Sequence, residues 1–136
     1  MAPELIKGED YNNKVDIWAF GCLIYELLTL KICFYDENLF ALYDKIVNKN
    51  YENINLKGYN SKWKNLIDLL LQKNPNQRPD IKEINKLIIK INNGTNNLII
   101  KNNDLKIIGI AKKFFRKDLF PNHKDSFIRP YSKYKF

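Results

Sequence analysis

The chain has 136 residues, with 23 Lys and Arg against 15 Asp and Glu, for a net charge of +8. That length admits one small domain and excludes a typical two-domain enzyme, while 45% hydrophobic residues, 5 Gly and 5 Pro exclude a disordered or collagen-like chain. The charge is uneven: residues 1–92 hold 13 Lys and Arg against 12 Asp and Glu, whereas residues 93–136 hold 10 against 3.

Met1 to Asn13, with Pro3, Gly8 and an Asn pair, reads as a loop. Asp16 is placed to cap a helix by accepting from the free N–H groups of its first turn. Residues 17–30 are apolar on nearly every face, which predicts a helix buried all round. This run is too short for a bilayer and carries Glu26. Residues 31–37 form a connector, and Leu39, Phe40, Tyr43, Ile46 and Val47 predict a second helix over 38–48. A polar loop over 50–60 leads to Ser61, read as the cap of a third helix. Trp63, Leu66, Ile67, Leu70 and Leu71 form its apolar stripe, and Asn74-Pro75 stops it. Asp80 and Glu83 have capping-box spacing and open a fourth helix striped by Ile81, Ile84, Leu87, Ile88 and Ile91.

Beyond Asn92 the pattern changes. Two β-prone runs, Leu98–Lys101 and Leu105–Ile110, flank Asn102-Asn103 and suit a short β-hairpin. Lys112 to Asp118 suits one or two helical turns, and Pro121 to Phe136 is an aromatic, basic tail. Cys22 and Cys33 lack CxxC spacing and a nearby His, which argues against a zinc site or a disulfide framework. Two unpaired thiols and no visible signal peptide lead us to expect an intracellular, cytoplasmic protein, with nuclear or cytoskeletal settings compatible.

Three clusters carry a family pattern. They are Ala2-Pro3-Glu4, then Asp16-Ile17-Trp18-Ala19-Phe20-Gly21, and last Leu71-Gln72-Lys73-Asn74-Pro75-Asn76-Gln77-Arg78-Pro79. In this order they resemble the A-P-E, D-x-W-x-x-G and L-x-x-[DN]-P-x-x-R-P motifs of the C-terminal lobe of eukaryotic protein kinases. The stretch from Tyr11 to Leu39 is similar to NIMA-related (NEK) serine/threonine kinases, with Val15 and Phe20 departing from that group's usual Ser and Leu. The resemblance covers residues 1–92 and implies a mainly α fold: the four-helix latter half of a kinase C-lobe, followed by a basic extension over 93–136.

The resemblance implies structural rather than catalytic roles for Ala2, Pro3, Glu4, Asp16, Trp18, Gly21, Arg78 and Pro79. Glu4 and Arg78 should form a buried ion pair, a guanidinium taking a carboxylate bidentately. Asp16 should also accept bonds from the catalytic loop. Trp18 is a core aromatic, and Gly21 admits a neighbouring backbone. The Gly-rich loop, strand Lys, H-R-D and D-F-G that phosphoryl transfer requires are not in this sequence. The chain therefore offers no catalytic, cofactor-binding or metal residue, and is expected to be a piece of a longer kinase, inactive alone. ATP and magnesium are implied for the complete family member. The implied partners are the upstream kinase region and the parent's protein substrate. That region should supply most of the packing for helix 17–30, leaving an apolar patch when it is absent. A non-catalytic kinase-like scaffold is the alternative reading. Contact of the basic, aromatic tail with nucleic acid or an anionic membrane is a lesser one.

Overall fold

The computed structural model describes residues 1–94 and 96–114. It contains helices α1 (Pro3–Lys7), α2 (Lys14–Thr29), α3 (Leu39–Asn48), α4 (Lys62–Leu70), α5 (Ile81–Asn93) and α6 (Leu98–Phe114), and a 3-10 turn at Pro75–Gln77. No strand occurs among the described residues, so the fold is mainly α, as the motifs imply.

The segment expected to be a loop holds α1. Pro3 at the helix start needs no N–H partner there, and Gly8 closes the helix at φ +69°, donating its N–H to Glu4 O. Asp16 is not the N-cap of α2. The helix begins two residues earlier, and the Asn12 Oδ1 accepts from Lys14 N at 2.9 Å. Asp16 instead lies in the first turn, where its charge complements the positive helix end. Ser61 is likewise an N-cap without a side-chain cap bond. Its neighbour Asn60 does that work, accepting from Lys62 N at 3.0 Å. The expected cap at Asp80 forms, as a complete capping box with Glu83, and Asn38 caps α3 as well, its side chain accepting from Phe40 N and Ala41 N.

Helix α2 is the centre of the core. Ile17, Trp18, Phe20, Ile24, Tyr25 and Leu28 are all buried. Helix α4 packs on one side at Gly21, where a Cβ would lie 2.8 Å from Leu70 Cβ. The glycine is thus required by the closeness of the two helices. Helix α6 packs against both α2 and α5.

This last contact replaces two expectations. Residues 98–114 form one helix and not a β-hairpin around Asn102-Asn103. Asn97 caps it, its Oδ1 accepting from Ile99 N at 3.0 Å and Ile100 N at 3.2 Å. The buried residues Asp104, Ile107, Ile108 and Ala111 follow i, i+3, i+4, i+7, a helical seam and not a strand alternation. Phe114 then meets Phe20, with ring centroids 5.2 Å apart. The apolar patch expected on helix 17–30 is therefore covered from within the chain. Of the segment Lys112–Asp118, Lys112 to Phe114 continue α6, and the remainder lies outside the described residues, as does Pro121–Phe136.

Candidate functional site: the anchor around Arg78

Arg78 follows the 3-10 turn, whose Asn74 cap accepts from Asn76 N at 2.9 Å. The turn aims the guanidinium inward, where it is 2% exposed. Burying a charge this deeply requires that every donor be matched. A guanidinium has five N–H donors, and all are used. Nη1 and Nη2 donate to the two Glu4 carboxylate oxygens at 2.7 and 2.8 Å. Nε donates to Gln72 O at 2.8 Å, Nη1 also to Lys14 O at 2.8 Å, and Nη2 also to Lys73 O at 3.3 Å.

Glu4 is 1% exposed. Burial alone would raise its pKa, but the Arg78 hydrogen bonds, a backbone bond and the charges of Arg78 and Lys7 outweigh it, so the carboxyl sits below its usual value. The pair joins α1 to the turn before α5. Through Lys14 O it also reaches the first residue of α2, and the Lys14 ammonium returns a bond to Arg78 O. One residue therefore ties three segments together, across 74 positions of sequence.

Trp18 underlies this anchor. It is 1% exposed, the Arg78 guanidinium carbon lies 5.0 Å from its ring centroid, and Phe34 stacks on it at 5.7 Å and 11°. Lys73 covers the same aromatic pair, with Nζ 5.0 Å from the Trp18 ring and 4.7 Å from that of Phe34. Its ammonium also donates to Ile46 O at 2.6 Å, which ties α3 to the assembly. Desolvation lowers the Lys73 pKa to about 8, with the Arg78 charge adding to it. Lys73 and Phe34 were not singled out from the sequence as anchor residues. Their role depends on stacking across the α2–α3 connector, and only the cation–aromatic pairing of residue types hints at it.

Ala2, Pro3 and Pro79 are buried beside the pair, while Asp16 is exposed. Gly21 serves the α2–α4 contact. The arrangement is a clamp. It is a saturated ion pair with no free donor on Arg78, and it joins three chain segments.

A second polar node lies at α6. Asp104 is fully buried, and its Oδ1 accepts from Trp63 Nε1 at 2.8 Å and Asn60 N at 3.2 Å. Asn60 Nδ2 donates to Ile91 O at 3.2 Å, so α4, α5 and α6 share one network. Sequence reasoning missed it because a lone Asp in an Ile-rich run reads as surface.

No helix among the described residues is long and apolar enough to cross a membrane. The sequence profile of the protein kinase domain matches residues 1–87. Among relatives, serine/threonine-protein kinase Nek10 of Homo sapiens is 38% identical over 86 residues, 63% of this chain and 7% of that protein. Probable serine/threonine-protein kinase nek3 of Dictyostelium discoideum is 38% identical over 127 residues, 93% of this chain and 10% of that protein. Serine/threonine-protein kinase Nek5 of Homo sapiens is 41% identical over 86 residues, 63% of this chain and 12% of that protein. The chain thus spans only a small part of each relative's length. It belongs to the protein kinase family, and the portion of the kinase domain it carries is similar to that of the NEK serine/threonine kinases.

Proposed function

We propose that this chain is the structural half of a catalytic lobe whose parent transfers the γ-phosphoryl group of ATP to Ser or Thr of proteins inside the cell. The observation that supports this best is the bidentate Glu4–Arg78 pair, buried on Trp18 and bonded to the start of α2. A phosphoryl-transfer site depends on positioning, and this anchor would hold the end of the activation segment against the lobe. Leu39 and Phe40, 55% and 83% exposed on α3, give the parent an apolar surface on which a protein substrate can rest. The groups that would hold ATP and magnesium belong to the upstream region, which is the chain's first partner.

The chain alone is then inactive. Calorimetric titration of magnesium-ATP into it is expected to give no binding heat, and a micromolar, magnesium-dependent signal would overturn that. Joining the upstream kinase region should restore phosphorylation of a protein substrate, and Glu4→Gln in the joined protein should reduce it.

One observation favours a second reading, a kinase-like scaffold without catalysis. Helix α6, which begins beyond the matched residues 1–87, closes the core onto α2 and α5. A module sealed in this way can fold as a unit. The upstream coding sequence separates the two: an intact strand Lys, H-R-D and D-F-G support the enzyme, and their degeneration supports the scaffold. Binding of nucleic acid by residues 101–136 would show as steep salt dependence.

A further inference from the structure

Helix α6 buries one seam and leaves the rest of its circumference to solvent. Asp104, Ile107, Ile108 and Ala111 form the buried seam, and packing against α2 and α5 fixes that orientation. Two exposed stripes run opposite the seam. Leu98, Lys101, Leu105 and Lys112 fall at i, i+3, i+7 and i+14 and share one side of the helix. Ile99, Lys106, Ile110 and Lys113 fall at i, i+7, i+11 and i+14 and share the other. All of these side chains are exposed, Leu98 and Ile99 by 75% and 73%.

Each stripe thus sets two aliphatic side chains among two lysines. A lysine stem can lie along apolar surface while its ammonium reaches into a charged layer. The one carboxylate of α6 is Asp104, which is buried and accepts from Trp63 and Asn60. The exposed face of the helix is therefore purely cationic, and none of its four lysines is ion-paired among the described residues. The mixture of charge and aliphatic surface selects the partner. Exposed residues of α6 include no aromatic ring and no Arg, the groups that stack on bases, and aliphatic side chains have no use on a phosphate backbone. The aliphatics also spread over both stripes, whereas a partner helix requires one seam. A flat anionic surface with an apolar interior meets both features.

We propose that the outward face of α6 is a docking surface for a bilayer rich in anionic phospholipid. The aliphatic side chains enter the boundary between headgroups and acyl chains, and the lysines meet the lipid phosphates and carboxylates. At 17 residues the helix is not long and apolar enough to cross the bilayer, so it lies along it. Its buried seam already holds it helical against α2 and α5, so docking spends no free energy on ordering it. The surface begins beyond residues 1–87, which match the kinase domain, and is separate from the Glu4–Arg78 anchor. It serves a catalytic parent and a scaffold alike.

The test is flotation of the full chain with phosphatidylcholine vesicles, either pure or containing about 30% phosphatidylserine. Binding is expected with the anionic vesicles alone and should weaken as salt rises. Two variants separate the charge from the aliphatic surface, and both change only exposed side chains. Lys101→Gln, Lys106→Gln, Lys112→Gln and Lys113→Gln together should weaken binding at least about tenfold. Leu98→Gln, Ile99→Gln, Leu105→Gln and Ile110→Gln together keep the charge and should also weaken it at least about tenfold. On the wild type, bound vesicles should shield the same four lysines from acylation by a soluble ester, read by mass spectrometry, which needs no variant to fold. No binding to anionic vesicles, equal binding to both kinds, full binding by either variant, or unshielded lysines on α6 would each overturn the proposal. A nucleic-acid duplex bound more tightly than the vesicles, and released by the lysine changes but not by the aliphatic ones, would overturn it in favour of nucleic acid.

Discussion

Replacing Glu4 by Gln tests the anchor with the smallest change of shape. Both partners are buried, so water does not screen them. Gln presents a neutral amide, one end of which is an N–H donor facing guanidinium donors. The Arg78 charge is then left without an anion, with one amide oxygen and the carbonyls of Lys14, Gln72 and Lys73. Removing one partner of a buried pair costs about 3–5 kcal/mol. That is a large share of the roughly 5–15 kcal/mol that holds a domain together. Urea unfolding followed by tryptophan fluorescence reads it directly, since Trp18 lies against Arg78. Arg78→Met should cost as much, because it strands the carboxylate instead. Glu4→Gln with Arg78→Met removes both charges and should be less damaging than the summed single effects, by about 3 kcal/mol. Single losses below about 1 kcal/mol, or strictly additive effects, would refute the clamp.

The pair also has a pH signature. The Glu4 carboxyl titrates below its ordinary value of 4.5 in the folded chain. As pH falls, the unfolded chain therefore takes up the proton first. The pair's contribution is whole above the unfolded pKa and is lost as pH falls through the lowered folded value. As pH falls below about 5 the wild type should lose stability more steeply than Glu4→Gln, which has no carboxyl to protonate there.

Four further substitutions at three positions probe the packing and capping elsewhere in the fold, all read from urea midpoints. Gly21→Ala puts a methyl 2.8 Å from Leu70 Cβ and Leu71 Cδ2, and should cost about 1–3 kcal/mol although alanine is the better helix former. Asp104→Ala strands the Trp63 and Asn60 N–H groups and should cost about 1–3 kcal/mol for each buried donor. Asp104→Asn keeps an acceptor and, because Oδ2 has no partner among the described residues, should stay within about 1 kcal/mol of wild type. Hydrogen exchange over 98–114 should rise in the Ala variant and not in the Asn variant. Asp80→Ala breaks the capping box and should cost about 1 kcal/mol, with fraying confined to the start of α5.

How far the chain could be read from its letters depended on whether the signal was local. The stripes of α4 and α5 repeat at helical spacing, and the Asp80–Glu83 box is a contact over three residues, so both were legible. The Glu4–Arg78 pair spans 74 positions and was legible only because the motifs around each partner fixed its role. The capping oxygen lies four residues before the one expected at α2 and one residue before it at α4, where Ser61 still holds the cap position, and both shifts share a reason. At both α2 and α4 an Asn supplies the oxygen from just ahead of the residue expected to do so. Nothing in composition distinguishes Asn12 from Asp16, or Asn60 from Ser61, as the acceptor, because the backbone path selects it.

Helix α6 failed differently, and the failure bears on function. Ile is as suited to strands as to buried helix seams, Asn102-Asn103 looks like a turn, and Asp104 interrupts the apolar pattern. Each signal was reversed by a partner far away in the chain. Asp104 could enter the seam only because Trp63 and Asn60 were there to donate, and Ile107, Ile108 and Ala111 could bury only because α2 and α5 presented a surface. The same dependence runs in reverse. With α6 in place, Phe20 on α2 is buried against Phe114 instead of facing solvent. The region that looked like an appendage to the kinase portion is thus part of what keeps its central helix dry. A cut after residue 92, where the family pattern ends, should remove that cover and leave α2 exposed along the Phe20 face, with dye binding to apolar surface as the readout.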